Sequence, residues 1–279
     1  MTAATPIQPI LVLGSTGKTG RRVAQRLSAL GLPCRMGSRS ATPAFDWEQP
    51  STWAPALEGV GAVYISYFPD LAVPGAADTV GAFARLAVQR GVRRLVLLSG
   101  RGEEGALLAE QAVQASGADW TIVRATWFNQ NFSEGSFLGM VLEGELTLPV
   151  GDVPEPFVDA DDIADVAVAA LTQDGHVGEV YELTGPRLMT FAQAAEEIAQ
   201  AAGRPVRCTP IPLEVFTDAM AAQGEPAEVV ALLRYLFNDV LDGRNARLAD
   251  GVQRALRRAP RDFGEFAREV AGCGVWAKG

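Results

Sequence analysis

Residues 11–22 read "LVLGSTGKTGRR", and the glycine pattern in this stretch is the strongest indication of the fold. The apolar run over 7–13 is typical of a buried parallel strand, and a helix is predicted over 18–30. Gly14, Gly17 and Gly20 therefore lie in a turn from a strand into a helix. In a dinucleotide-binding turn, the first glycine permits the tight bend, the second lets the backbone approach the pyrophosphate, and the third lets helix and strand pack closely.

The same stretch also contains the Gly-Lys-Thr sequence that ends the phosphate loop of nucleoside triphosphatases. That loop needs four residues between its first glycine and the Gly-Lys pair. Only Ser15 and Thr16 separate Gly14 from Gly17, so the loop is too short. The sequence favours a dinucleotide turn, and a structural turn without a ligand is the remaining alternative.

Strands and helices alternate along the first two thirds of the chain. This alternation predicts a doubly wound α/β fold around a parallel sheet with right-handed crossovers. Strands are predicted at 7–13, 33–39, 43–47, 59–67, 92–100, 119–125 and 178–184, and helices at 18–30, 51–59 (with Ser51 as N-cap), 74–90, 103–116 and 161–173.

Beyond Gly185 the pattern becomes mainly helical. Helices are predicted at 190–203, 212–223, 225–242 and 262–271, with one strand at 204–211. We therefore expect two domains. Residues 1–185 would form the dinucleotide-binding domain, with 127–160 contributing to the substrate cleft, and residues 186–279 a smaller C-terminal substrate-binding lobe.

Composition excludes several classes of function. The chain has 279 residues and a net charge of −9, which argues against a nucleic-acid surface. No stretch has the length and apolarity of a membrane span, and residues 1–10 do not resemble a signal peptide. The three cysteines are scattered without a CxxC pair and favour neither disulfides nor zinc. We expect a cytoplasmic monomer or homodimer.

Two polar motifs predict structural roles. His176 lies in the turn-like "QDGHVGE", which predicts an exposed loop residue, so a Ser-His pair or a His-rich metal cluster is not expected. The acidic run "DADDIAD" predicts a helix N-cap at Asp159 or Asp161. Its aspartates are too close in sequence to converge on a metal, and no metal site is predicted.

The end of the second strand selects the cofactor. An acid there would bond the ribose hydroxyls of NAD, whereas an arginine accommodates the 2′-phosphate of NADP. The sequence has Arg39 flanked by Ser38 and Ser40, and arginine can bind a phosphate through two hydrogen bonds. NADP(H) is therefore the predicted cofactor, although Arg39 could also be a solvated surface residue.

Several stretches together resemble the NmrA-like, atypical branch of the short-chain dehydrogenases/reductases. They are "GSTGKTGRRVA", "SRS", "VRRLVLLSG", "EQAVQASGADWTIVRATWFNQNFSE" and "PFVDADDIADVAVAAL". Within that branch, "FDWEQPSTW" and "RATWFNQNF" most resemble the ergot-alkaloid-type reductases (agroclavine or festuclavine dehydrogenase-like) and their bacterial relatives. The resemblance runs along nearly the whole chain. It implies an NADP-binding Rossmann domain, with the nicotinamide near the ends of the later strands and the substrate under the C-terminal lobe.

The chain departs from the superfamily at its proton relay. Short-chain dehydrogenases use Tyr-x-x-x-Lys, in which the tyrosine protonates a carbonyl oxygen. The tyrosine would fall near Gly102 and the lysine near Ala106, and neither residue type is present at these positions. Ordinary alcohol–ketone interconversion is therefore disfavoured. An iminium carbon accepts hydride without a proton, and a quinone or activated alkene could take its proton from water or a polar side chain.

Candidate site residues follow from the rule that ligands lie beyond the carboxyl ends of the strands. Tyr67 is a candidate proton donor, and Trp127 and Asn129 could line an aromatic pocket for a planar or polycyclic substrate; core packing is the alternative for Trp127. Arg124 is interpreted as an ion-pairing scaffold residue. The predicted cofactor-binding residues are Gly14, Ser15, Thr16, Gly17, Lys18, Thr19, Gly20, Ser38, Arg39, Ser40, Asp46, Trp47, Ser66, Tyr67, Ser99 and Gly100.

Three functions remain open from the sequence. The first is an NADPH-dependent reductase of a small hydrophobic electrophile, and the resemblance to alkaloid reductases implies a role in secondary metabolism. The second is a regulator of the NmrA kind, which senses the nucleotide, binds a protein partner and catalyses nothing. The third is a cyclase or isomerase that uses the same fold without a redox step. The aromatic residues after the 119–125 strand and the sizeable C-terminal lobe favour an enzyme.

Overall fold

The computed structural model describes residues 8–277, so Ile7, the expected start of the first strand, lies outside the described residues. The chain forms two compact units. Of the described residues, unit 1 comprises 8–124, 163–182 and 254–257, and unit 2 comprises 125–162, 183–253 and 258–277. Neither unit is one continuous range, because the chain passes between them repeatedly. The division of function at residue 185 stays a prediction.

A six-stranded sheet in the order β2-β1-β3-β4-β5-β7 organises the fold. The first four of these strands pair in parallel, with Leu13 opposite Gly37 and Tyr64 opposite Val96. Because β1 lies between β2 and β3, the strand order reverses at β1, which is where doubly wound folds bind ligands. The strands are β1 (Ile10–Leu13), β2 (Cys34–Gly37), β3 (Ala62–Ile65), β4 (Arg94–Gly100), β5 (Asp119–Ala125), β6 (Glu145–Leu148), β7 (Glu179–Leu183) and β8 (Arg207–Pro210).

Twelve α-helices are assigned within the described residues, and the doubly wound architecture predicted from the alternating pattern is confirmed. The helices are α1 (Lys18–Ala29), α2 (Trp53–Leu57), α3 (Ala76–Gln89), α4 (Glu104–Gln114), α5 (Asn131–Glu134), α6 (Leu138–Glu143), α7 (Ala160–Thr172), α8 (Phe191–Ala202), α9 (Leu213–Ala222), α10 (Ala227–Tyr235), α11 (Gly251–Leu256) and α12 (Phe263–Gly272). None of the helices among residues 8–277 has the length and apolarity to cross a membrane.

The core of unit 1 forms because strand residues are apolar on both faces. All four residues of β1 are buried, and α1 covers them with Val23 and Leu27, which are fully buried one turn apart. On another side, Phe83 of α3 packs edge-on against Phe45 and Trp53. This aromatic packing explains why the strand predicted at 43–47 is wrong: the segment is a loop whose Phe45 fills the core.

Two further expectations in unit 1 are wrong. Ser51 does not cap α2, because a 3₁₀ turn over Pro50–Thr52 precedes it. His176 is not exposed: only 7% of its surface is accessible, and Nδ1 lies 2.9 Å from the hydroxyl of Tyr181. The backbone carbonyl of His176 also accepts from the Thr121 hydroxyl at 2.7 Å. Burial lowers the pKa of His176, so the neutral ring that bonds Tyr181 is favoured.

Unit 2 is mainly helical and has an aromatic core. Its sheet has two parallel strands, β6 and β8, so the predicted strand near 207 has a partner that the sequence did not reveal. Phe132, Phe191 and Phe263 are buried at the centre. The helix predicted at 225–242 ends earlier, since α10 passes into a π-helical turn at Leu236–Val240. Asp159 caps α7 by accepting from the amide of Asp161 at 2.8 Å.

Candidate functional site

The glycine turn joins β1 to α1 in unit 1. Gly14 has φ +63°, a left-handed conformation that favours glycine, and its carbonyl accepts from the Gly17 amide at 2.8 Å. A Cβ on Gly20 would lie 2.2 Å from the Gly14 carbonyl oxygen, so the helix can approach the turn this closely only without a side chain. Thr16 and Gly17 are exposed, which leaves the backbone open to a ligand.

The start of α1 is chemically suited to bind an anion. Gly17 is its N-cap and provides no side-chain hydrogen bond to the first amides. The first turn contains no acid, and Lys18 stands half-buried at the helix start. Uncapped amides, the positive end of the helix dipole and a lysine together suit a pyrophosphate.

Two buried side chains line this turn. The Ser15 hydroxyl is buried and has no hydrogen-bond partner among the described residues. Such an orphaned group is uncommon in a folded protein and indicates a partner that is supplied from outside. Thr19, 4% exposed, packs in the first turn of α1. The uncapped amides, the open Gly17 backbone and the orphaned Ser15 hydroxyl therefore fit a dinucleotide.

The end of β2 presents the predicted phosphate-binding group. Arg39 is exposed and makes no hydrogen bond or ion pair within residues 8–277. Ser38 and Ser40 stand beside it, with their hydroxyl oxygens 3.3 Å apart. An unengaged guanidinium flanked by two hydroxyls is a chemically suitable receptor for a phosphate group.

The end of β3 carries Ser66 and Tyr67 against a loop from the preceding segment. The indole N–H of Trp47 donates to the Ser66 carbonyl at 3.2 Å, and its ring lies 5.0 Å from that of Tyr67. Ser66 also contacts the turn, 3.2 Å from where a Cβ of Gly14 would stand. Asp46 folds back to accept from the Glu48 amide at 3.0 Å. Trp47, Ser66, Tyr67 and Gly14 are thus brought together.

Ser99 and Gly100 are the last two residues of β4, and the Ser99 hydroxyl already has a hydrogen-bond partner. Its buried hydroxyl donates to Glu110 at 2.6 Å. Glu110 is also paired with Arg124 at 2.5 Å, and Arg124 reaches Glu182 at 2.9 Å. The interpretation of Arg124 as a scaffold residue is confirmed. Hydrogen bonding to Glu110 raises the pKa of Arg124.

Two carboxyl groups that no sequence motif predicts follow neighbouring strands at the same edge of the sheet. Asp70 follows β3 and Glu103 immediately precedes α4, and burial raises the pKa of both carboxyl groups. Each is half-buried. Their proximity follows from the pairing of β3 with β4, which brings the segments after two neighbouring strands together.

Trp127 and Asn129 belong to unit 2. Trp127 is half-buried and packs against Phe237, Phe191 and Phe137, with ring centroids 5.2 to 6.1 Å apart. Asn129 is fully buried, and neither its side-chain oxygen nor its nitrogen has a hydrogen-bond partner in the part of the chain that the structure describes. A buried amide without partners costs free energy and indicates a role other than packing.

Comparisons with known proteins match most of the chain. Residues 14–174 match the NAD(P)H-binding family model, and residues 107–267 match the NmrA-like family model. The chain is 34% identical to the NAD(P)H azoreductase of Xenophilus azovorans, over 94% of this chain and 98% of the relative. It is 30% identical to the agroclavine dehydrogenase of Claviceps fusiformis, over 93% and 96%.

A solved structure supports the same fold. The NADPH complex of the quinone oxidoreductase QOR2 from Escherichia coli superposes with a TM-score of 0.75 at 20% identity, covering 94% of this chain and 99% of that one. The NAD(P)H-binding family match begins at Gly14, the first glycine of the turn. The chain belongs to the NmrA-like family of NAD(P)H-binding proteins and is an NAD(P)H-dependent oxidoreductase.

Proposed function

We propose that the protein is an NADPH-dependent reductase that delivers hydride to a small hydrophobic electrophile without a Tyr-x-x-x-Lys relay. The substrate class is an iminium, a quinone or an activated alkene. The observation that carries the proposal is in the sequence: near Gly102 and Ala106, where the relay tyrosine and lysine are expected, neither residue type is present. An acceptor that is already electrophilic needs positioning more than it needs a strong acid.

Residues of unit 1 would hold the cofactor. The amides at the start of α1 and the Ser15 hydroxyl would bind the pyrophosphate, and Arg39 with its two serines would bind the 2′-phosphate. Gly14 and Ser66 lie beside the proposed pyrophosphate site. The indole of Trp47 bonds to the Ser66 carbonyl, next to Tyr67. The bound cofactor supplies the hydride, and the protein's task is to orient it and exclude water.

Trp127 and Asn129 have side chains that are chemically suited to the acceptor. The aromatic rings of Trp127 and its neighbours Phe191 and Phe237 would stack on a planar or polycyclic substrate. Their faces would also stabilise a positive charge on it. The orphaned amide of Asn129 would find its partner in a polar atom of that substrate. Relatives that are named an azoreductase and an agroclavine dehydrogenase support a reductase that acts on a small organic acceptor.

A substrate panel tests the reaction. Purified protein and NADPH are mixed with iminium, quinone, azo and enone compounds, and NADPH oxidation is followed by absorbance. We expect turnover with at least one electron-poor class and none with simple ketones or alcohols. Tight NADPH binding with no oxidation across the panel would instead support a nucleotide sensor and refute the reductase.

Arg39→Asp tests the choice of cofactor. The change replaces the cation that would pair with the 2′-phosphate by an anion that repels it, so NADPH affinity should fall about 100-fold or more. NADH has no such phosphate, and its affinity should change little or improve. Titration calorimetry with both cofactors measures this. The control is Arg35→Asp, because Arg35 lies within β2 and bonds to the carbonyls of Ala56 and Glu58. Equal losses for NADPH and NADH would refute a 2′-phosphate site.

A further inference from the structure

We propose that Trp276 and Arg204 are positioning residues for the acceptor, because together they fix the segment on which the ring of Trp127 packs. The inference rests on the proposed reductase function, in which Trp127 stacks on a planar acceptor. It deepens that function by assigning the selectivity for large planar acceptors to two residues that act through Trp127.

Trp276 is buried although it follows the last helix. α12 ends at Gly272, and only 1% of the surface of Trp276 is exposed. Its ring packs edge-on against Phe266 of that helix, with ring centroids 6.0 Å apart. Its indole N–H donates to the backbone carbonyl of Phe132 at 2.9 Å. A buried tryptophan needs an acceptor for this N–H, and Trp276 finds it in α5.

The Phe132 carbonyl needs a donor from outside its own helix. The last four carbonyls of a helix lack an amide partner within it, and α5 is only four residues long. Phe132 is itself fully buried, and a buried carbonyl without a donor costs free energy. The indole of Trp276 therefore fixes the place of α5 in the aromatic core of unit 2.

Arg204 holds the helix that follows α5. Its Nη2 donates to the carbonyl of Val141 at 2.6 Å, near the end of α6, and its Nε donates to the carbonyl of Trp276 at 3.1 Å. A cation is favourable at this end of a helix because the helix dipole places partial negative charge there. Arg204 thus ties α6 to the segment whose indole holds α5. We call Trp276 and Arg204 together the carbonyl clamp.

Phe137 lies in the chain between the two carbonyls that the clamp holds. It is 3% exposed and is the N-cap of α6, where its carbonyl accepts from the Val141 amide at 2.9 Å. Its ring lies 5.4 Å from that of Phe132. On its other side it stacks on Trp127, with centroids 6.1 Å apart and ring planes 19° apart. The plane of Trp127 therefore follows the position of Phe137, which the clamp sets.

Trp127 connects the clamp to the acceptor. The residue is half-buried, so part of its ring packs on Phe137 while another part remains accessible to a ligand. Aromatic stacking depends on the relative orientation of the two rings. A polycyclic acceptor would cover more of the Trp127 face than a one-ring acceptor, so a tilt of Trp127 should weaken the binding of the larger molecule more.

This difference between acceptors defines the experiment. Trp276→Phe removes the indole N–H and keeps an aromatic ring, and Arg204→Met removes both guanidinium bonds and keeps an unbranched stem. KM is measured for a planar three-ring acceptor and a one-ring acceptor of the class that turns over in the substrate panel, for example two quinones. Arg204→Met, at a half-buried position, carries the test if Trp276→Phe does not fold.

We expect KM for the three-ring acceptor to rise about 10-fold in each variant, roughly the value of one aromatic stacking contact. KM for the one-ring acceptor should change less than about two-fold. NADPH affinity and kcat at saturating acceptor should stay close to the wild type, because the clamp acts on acceptor binding alone.

Arg187→Met is the matched control. Arg187 joins α8 to the start of α12 in the same unit, through Glu197 at 2.5 Å and Asp262 at 2.7 Å. Its loss should lower the thermal stability of the protein while both KM values stay unchanged. The control therefore separates an effect of the clamp from general destabilisation of unit 2.

A second readout needs no turnover. The five tryptophans are replaced by 5-fluorotryptophan, and the ¹⁹F resonance of Trp127 is identified by its loss in Trp127→Phe. This resonance should move in Trp276→Phe and in Arg204→Met, because the ring of Trp127 is tilted, and it should stay in place in Arg187→Met.

Three results would overturn the proposal. The first is an unchanged Trp127 resonance in both clamp variants. The second is an equal rise of KM for the three-ring and one-ring acceptors. The third is a rise in Arg187→Met as large as that in the clamp variants. If the resonance moves but the wild type reduces no acceptor, the reductase function itself has failed, and the clamp is only a part of the folded core.

Discussion

Arg124→Met is expected to lower the free energy of unfolding by about 3–5 kcal/mol, the usual cost of leaving one member of a buried ion pair alone. Glu110, whose side chain is only 2% exposed, would lose the guanidinium that neutralises it. The Ser99 hydroxyl would be its remaining hydrogen-bond donor, and one neutral donor does not compensate a buried charge.

Chemical denaturation measures this loss. The matched control is Arg93→Met, because Arg93 is 85% exposed and stands 4.0 Å from Asp119, so its removal should cost at most about 0.5 kcal/mol. Adding Glu110→Gln to Arg124→Met removes the stranded charge and should restore part of the stability. A loss no larger than that of Arg93→Met would contradict the assignment of this network as the support under β4 and β5.

Gly20→Ala is expected to destabilise the protein by about 1–3 kcal/mol, the typical cost of overpacking, and to abolish tight NADPH binding. The new methyl group would stand 2.2 Å from the Gly14 carbonyl oxygen, which is backbone and cannot rotate away. Either α1 must move outward or the turn must open. Both movements displace the amides that would bind the pyrophosphate.

Gly17→Ala separates ligand binding from packing. Its Cβ would meet only the Gly14 oxygen, at 3.2 Å, and otherwise points into open space. We therefore expect nearly unchanged thermal stability together with weaker NADPH binding, since the methyl group would occupy the approach to the backbone. Thermal melts with and without NADPH compare the two variants. Normal NADPH affinity in Gly17→Ala would contradict the dinucleotide assignment.

The sequence predicts the parts of this molecule that depend on local pattern. The glycine turn, the buried strands and α1 follow from residues that lie within one segment, and they carry the family assignment. The loop at 43–47 was misjudged because Phe45 obtains its partner, Phe83, from a helix nearly forty residues further along. His176 was misjudged for the same reason, since turn composition contains no information about Tyr181.

Asp70 and Glu103 escape prediction from the sequence for a different reason. Asp70 and Glu103 stand in unremarkable loop sequences, and no short motif joins them. The signal that could have found them is the strand order: once β3 and β4 are placed side by side, the acids that follow each strand become neighbours. Asn129 was selected from its place after β5, but its lack of hydrogen-bond partners is visible only in three dimensions.

Isotope labelling tests directly whether the protein transfers hydride from NADPH to an electrophile. The protein is supplied with NADPH deuterated at the reactive carbon of the nicotinamide ring and with a preformed cyclic iminium or an activated alkene, and the product is analysed by mass spectrometry and NMR. Hydride transfer predicts one deuterium at the former electrophilic carbon and an equal amount of NADP⁺. A product without deuterium, or no product from any acceptor while NADPH is bound, would contradict it.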